Sequence, residues 1–109
     1  MEPTRIEILK QMVEERPENS FARYALAIEF SRGGQIEEAL ENFEYLLLHQ
    51  PEYAATYLQA GMILAKQGQR ARAAEVFTKG IEINRRQGNL HAQGEIEAAL
   101  EGLTGESQG

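Results

Sequence analysis

The sequence contains an internal repeat of 34 residues. Sliding the sequence along itself by that distance brings seven identical pairs together between residues 17–50 and 51–84: Pro17/Pro51, Glu18/Glu52, Gly34/Gly68, Gln35/Gln69, Ala39/Ala73, Glu41/Glu75 and Phe43/Phe77. A repeat of this length is one supersecondary unit, which buries its apolar side mainly against its neighbours in a stack. The chain is therefore predicted to be a short array of repeated units.

Each unit has the pattern of two antiparallel helices joined by a glycine turn. In the first unit, the helices are predicted over about 20–32 and 36–49, with Gly33-Gly34 between them and Pro51 after them. In the second, they are predicted over about 53–67 and 70–86, with Gly68 between them. Small residues mark the positions where two helix axes must come close; they are Ala27 and Gly61 in the first helices and Ala39 and Ala73 in the second.

This pattern resembles the tetratricopeptide repeat (TPR) family. The family's spacing of Trp, Leu, Gly, Tyr, Ala, Phe and Pro is met by Arg23, Leu26, Ala27, Phe30, Ala39, Phe43 and Pro51, and again by Tyr57, Ala60, Gly61, Leu64, Ala73, Phe77 and Arg85. The departures are Arg23 in an aromatic slot and Arg85 in the proline slot. The resemblance implies an all-α, antiparallel helix-hairpin stack, a right-handed superhelix of about five helices.

A single domain over residues 1–109 is predicted, with a half-unit at each end of the two repeats. Its parts are an N-terminal helix over 3–16, repeat 1 over 20–50, repeat 2 over 54–86, a C-terminal capping helix over 89–103 and a flexible tail over 104–109. Thr4 and Glu7 have the spacing of a capping box for the first helix. The capping helix keeps one apolar face, made of Ala92, Ile96, Ala99, Leu100 and Leu103.

Charge and composition exclude several classes of function. All 17 acidic residues are Glu, and against 11 Lys and Arg they give a net charge of −6, so we expect no nucleic-acid partner. Cysteine is absent, which removes disulfides and thiol chemistry. No early apolar run has the length of a signal peptide or a membrane span. We expect a cytoplasmic protein without a membrane partner.

Catalytic patterns are missing from the sequence. His49 and His91 stand far apart, and His91 with Glu95 makes one i, i+4 pair, which is neither a metal triad nor an acid/base constellation. Gly33-Gly34 lacks the flanking residues of a phosphate-binding loop. We therefore predict no enzyme activity, no metal site and no cofactor.

The segment FARYALAIEF, residues 21–30, is apolar on two sides. Leu26, Ala27 and Phe30 occupy the packing slots, whereas Phe21, Tyr24 and Ile28 lie on another face. The TPR resemblance implies that this second face lines a concave groove. The predicted groove, which would bind a peptide, a helix or a second copy of the chain, consists of Phe21, Tyr24, Ile28, Tyr53, Leu58 and Met62.

Two alternatives for this groove stay open at the level of sequence. The chain's own last helix could fill it, above all with Ile96 and Ala99, or it could form the interface of a homodimer, making the protein a self-assembling structural element. One partner class is disfavoured: the slots that some TPR proteins use to hold a C-terminal carboxylate carry Tyr24, Ile28 and Gln59, which offer no cation.

Overall fold

A computed structural model describes residues 1–108 of the chain, with side chains through Gly105. The described residues form six helices. They are α1 (Arg5–Glu15), α2 (Ser20–Arg32), α3 (Ile36–His49), α4 (Thr56–Lys66), α5 (Arg70–Arg86) and α6 (Leu90–Gln108). These residues contain no strand, so the all-α prediction is confirmed. The expected count of about five helices is wrong: the described residues form six, one in each flanking segment and two in each repeat.

The helices belong to two compact units, Met1–Tyr53 and Ala54–Gly109. In the first unit, α2 packs against both α1 and α3. In the second, α5 packs against α4 and α6, and α4 also contacts α6. The single domain over 1–109 stays a prediction, as does the flexible tail over 104–109: α6 is assigned through Gln108, and Gly109 and the side chains of 106–108 lie outside the described residues.

The glycine turns end the first helix of each hairpin in the same way. Gly34 has φ 79° and Gly68 has φ 81°, a left-handed conformation that residues with a Cβ rarely adopt. After each glycine the chain turns back, so that Gln35 N donates to Phe30 O and Gln69 N donates to Leu64 O, both at 2.9 Å. The repeated Gly-Gln pair thus satisfies carbonyl groups left free at the helix end.

The small residues allow close contact between helices in the second unit. A Cβ added at Gly61 would overlap the ring of Phe77, at 2.6 Å from Cδ1. A Cβ at Gly80 would overlap Tyr57 Cβ and lie 3.2 Å from Ile96 Cδ1. The hydrogen atoms of these glycines therefore let α4 and α6 lie directly against α5.

The start of α1 is fixed by the capping box that its sequence predicts. Thr4 Oγ1 accepts a hydrogen bond from Glu7 N at 3.1 Å, and Thr4 N donates to Glu7 Oε1 at 2.9 Å. The hydrogen bonds from Thr4 hold the pKa of the Glu7 carboxyl below its ordinary value. An ion pair between Arg5 Nε and Glu29 Oε1, at 3.0 Å, links α1 to α2.

Candidate functional site

The face of α2 that carries Phe21, Tyr24 and Ile28 is the candidate site of the first unit, and we name it the α2 face. Asn19 is the N-cap of this helix, and its side chain accepts a hydrogen bond from Ala22 N at 3.0 Å. Phe21 lies in the first turn and is 63% exposed, whereas Tyr24 and Ile28 are half-buried. The face therefore begins with an exposed aromatic ring and continues into partly covered side chains.

Tyr24 joins this face to the core of the unit. Its ring meets buried Phe43 of α3 edge-on, with 6.1 Å between centroids, and lies tilted against Tyr53 at 5.8 Å. The edge-on arrangement is one that aromatic pairs prefer, and both distances lie within the range of aromatic contact. Burial raises the pKa of the Tyr24 hydroxyl, with a further rise from neighbouring Tyr53, and burial raises the pKa of Tyr53 as well. Four of the six predicted residues thus lie in this unit, and two of them, Tyr24 and Tyr53, are in contact.

Gln50 holds the segment that carries Tyr53, a role that sequence reasoning missed. Its Nε2 donates to Glu18 O at 2.9 Å, and its Oε1 accepts from the Ser20 hydroxyl, so the end of α3 is tied to the start of α2. Tyr53 N then donates to Gln50 O at 3.0 Å. A signal was available in the repeat: 34 residues later stands a second amide, Asn84, which is buried and donates to Gly80 O at 2.8 Å.

Leu58 and Met62 lie on α4 in the second unit, and we name this pair the α4 face. Leu58 is half-buried and Met62 is 43% exposed. The last helix contacts α4, but its Ile96, which is 1% exposed, lies next to the Gly80 and Tyr57 positions. Within this unit, α6 therefore leaves the Met62 side chain accessible.

Arg23, the departure in the first aromatic slot, compensates for the missing ring by stacking. Its guanidinium lies over the ring of Tyr45, 3.6 Å from the centroid, and its Nη1 donates to Asn42 Oδ1 at 3.3 Å. Nη2 reaches Pro17 O at 3.4 Å. A flat cation on an aromatic face fills the slot much as an aromatic side chain would.

Neither a cluster of metal-ligand side chains nor a membrane-spanning helix is found in the part of the chain that the structure describes. Those residues hold no group of three or more His, Cys, Asp or Glu side chains placed to share a metal ion. His91 Nε2 lies 3.6 Å from Glu95 Oε1, a pair on the exposed surface of α6. Among the same described residues, no helix combines the length and the apolar character that crossing a bilayer requires.

Comparison by sequence alone gives no match to any family profile or to any curated protein. Comparison of structures does find relatives. The solution structure of a tetratricopeptide repeat domain protein from Salinibacter ruber is 31% identical, with a TM-score of 0.77 over 82% of this chain and 90% of the other. The crystal structure of the tetratricopeptide repeat domain protein from that organism is also 31% identical, with a TM-score of 0.78 over 81% and 98% of the two chains.

A third structure shares the fold at lower identity. It is a protein from Bordetella parapertussis, solved in solution, which is 24% identical with a TM-score of 0.80 over 96% of this chain and 91% of the other. The repeat domain from Salinibacter ruber, solved both in solution and in a crystal, exceeds it in sequence identity, and the match covers almost the full length of that domain. Together with the 34-residue period and the glycine turns, this match shows that the chain belongs to the tetratricopeptide repeat family.

Proposed function

We propose that this protein is an interaction module or scaffold that binds a peptide or helix of another protein through the α2 face of its first unit, and that the α4 face of its second unit is a further surface of the same kind. Tetratricopeptide repeats stack into surfaces that hold partners. The relative of this chain from Salinibacter ruber is a tetratricopeptide repeat domain. In this proposal the protein is not an enzyme, and binding is its biochemical activity.

The exposure of Phe21 is the observation that carries the proposal. A phenylalanine that is 63% exposed leaves a large apolar surface in water, and it stands one turn from Tyr24 on the same side of α2. Exposed apolar patches on soluble proteins commonly mark interaction sites. Tyrosine and other aromatic side chains also supply much of the binding energy at protein interfaces.

The contacts of Tyr24 further support a binding role for this face. Phe43 and Tyr53 restrict its ring from two directions, so little conformational freedom remains to be lost when a partner binds. A peptide that covers Phe21 would meet this fixed ring next to it. The expected ligand is an apolar segment, helical or extended, with at least one large side chain for the surface beside Tyr24.

Two matched substitutions test the proposal. Phe21→Glu places a charge on the α2 face, and Leu48→Glu places the same charge on α3, where the leucine is 76% exposed and lies outside the face. Since both side chains are exposed, the free energy of unfolding of each variant should lie within about 0.5 kcal/mol of the wild-type value. In the second unit, Met62→Glu and Leu90→Glu, with Leu90 at 72% exposure, form the equivalent pair.

The readouts are the solution mass by light scattering and the capture of partners from the source cell's lysate, followed by titration of the captured protein in purified form. We expect Phe21→Glu to lose the partner and Leu48→Glu to keep it. If the wild type is a dimer that only Phe21→Glu or Met62→Glu dissociates, the alternative of a self-assembling protein holds. Equal partner binding by Phe21→Glu and Leu48→Glu would refute a role of the α2 face.

A further inference from the structure

A cleft of about 320 Å³ lies in the first unit between α1, α2 and α3. Its apolar part consists of Val13, Leu26 and Phe30, and its polar part consists of Lys10, Glu14, Glu38, Glu41 and Asn42. At about 100° per residue, Leu26 and Phe30 point to the side of α2 opposite to Phe21, Tyr24 and Ile28. The cleft is therefore a separate surface from the α2 face, and the inference drawn from it goes beyond the proposed function.

The charges that line the cleft are predominantly negative. Among the described residues, Glu14, Glu38 and Glu41 take part in no ion pair, although all three side chains are exposed at the rim. Lys10 is the one cation among the described lining residues, and it stands one helical turn from Glu14 in α1. The cleft thus combines an apolar floor with three carboxylates and one lysine, an excess of two negative charges.

Asn42 and Arg23 do not neutralise this rim. The Asn42 side chain is occupied on both ends: Nδ2 donates to Glu38 O at 2.9 Å, and Oδ1 accepts from Arg23 Nη1 at 3.3 Å. The Arg23 guanidinium is held over the Tyr45 ring. Neither group forms an ion pair with a rim carboxylate, and the excess of carboxylates over Lys10 makes the field at the cleft negative.

We propose that this cleft binds a cationic amphipathic segment of a partner protein, with an apolar side chain on Val13, Leu26 and Phe30 and lysine or arginine side chains at the carboxylates. The floor favours an apolar group through burial, and the rim favours cations through charge complementarity, which gives specificity and faster association. A second copy of the chain, at a net charge of −6, and a nucleic acid would both be repelled here.

The experiment is a titration of the ¹⁵N-labelled 109-residue chain with a synthetic helical peptide. The peptide carries two leucines and two arginines along one face, and its twin carries glutamate in place of each arginine. Amide shifts give the location of binding and Kd. For the arginine peptide we expect shifts around Val13, Leu26 and Phe30 and a Kd that rises with salt, since exposed charges are screened. The glutamate twin should not bind.

Two variants with the same change in net charge distinguish the cleft from general attraction. Glu14→Gln with Glu38→Gln removes two rim charges, whereas Glu15→Gln with Glu37→Gln removes the adjacent charges, which do not line the cleft. Glu37 and Glu38 both lie in the first turn of α3, so the helix-dipole effect is matched. We expect Kd for the arginine peptide to rise about three- to tenfold in the first variant, the effect of two exposed ion pairs, and to stay within about twofold in the second.

Several results would overturn the proposal. They are no binding of the arginine peptide at about 1 mM, an equal loss in both variants, or dimerisation that the rim substitutions abolish. Shifts confined to Phe21 and Tyr24 would overturn it too, while supporting the α2 face. Conversely, binding at the cleft leaves the proposed function to its own test, so the two can fail separately.

Discussion

Replacing Gly61 by alanine should destabilise the protein, although alanine is the better helix former. In an exposed helix the exchange would gain about 1 kcal/mol, because glycine loses more backbone entropy on folding. At position 61, however, the new methyl would overlap three atoms of the Phe77 ring, two of them at 2.6 and 2.8 Å. Phe77 is itself buried, so its ring cannot move aside into solvent.

The two effects can be weighed against each other. Overpacking of a buried contact costs about 1–3 kcal/mol, and the overlap with several atoms of a confined ring places this case at the upper end. Subtracting the propensity gain of about 1 kcal/mol leaves a net loss of about 2 kcal/mol in the free energy of unfolding. For a chain of this size, that loss corresponds to a fall in Tm of about 8–16 °C.

Urea unfolding followed by far-ultraviolet circular dichroism measures this loss, and Gly94→Ala supplies the matched control. Gly94 is an exposed residue of α6, and a Cβ there meets nothing within 4 Å. The control should therefore gain up to about 1 kcal/mol. If Gly61→Ala proves as stable as the control, with an unchanged dependence on urea, the close packing of α4 on α5 is refuted.

Three further predictions concern the first unit. The free energy of unfolding should fall as pH rises above about 10, because folding raises the pKa of Tyr24 and the folded chain then binds more protons than the unfolded chain; Tyr24→Phe should flatten this fall in urea unfolding at stepped pH. Below about pH 4.5, the stability that comes from the lowered pKa of Glu7 should be lost as the carboxyl protonates, and Glu7→Gln should weaken this acid dependence. Thr4→Ala should cost about 1 kcal/mol at neutral pH. Arg23→Lys should lower the free energy of unfolding by about 1 kcal/mol, because lysine cannot both stack on Tyr45 and keep the forked hydrogen bonds. Thermal unfolding measures the loss for Thr4→Ala and for Arg23→Lys.

The local signals of the sequence were sufficient for most of the fold. Glycine, small residues and apolar spacing act within a few residues, so the hairpins and the turns at Gly34 and Gly68 follow from the 34-residue period. The stacking of Arg23 could not be predicted in this way, since it depends on Tyr45, which lies on another helix. Contacts between distant side chains are set by the packed structure rather than by spacing.

The 34-residue period does not predict which residues of α6 are buried. The period would place Gly94, Glu95 and Ala98 in the packing slots, but all three are exposed, whereas Ile96 is buried. Burying the Glu95 carboxylate without a partner would be costly, so the helix packs by its own apolar spacing. For the candidate site, the sequence identified apolar positions on α2 and α4, but partner binding at these positions remains a prediction, because it depends on a molecule outside the chain.

Site-specific photocrosslinking tests the role of the α2 face most directly. Benzoylphenylalanine is placed at position 21 in one sample and at position 48 in another, since both native side chains are large, apolar and exposed. Each protein is irradiated in the lysate of its source cell, and the crosslinked products are identified by mass spectrometry. We expect one dominant partner to be crosslinked from position 21 and not from position 48. The same set of products from both positions would contradict this expectation.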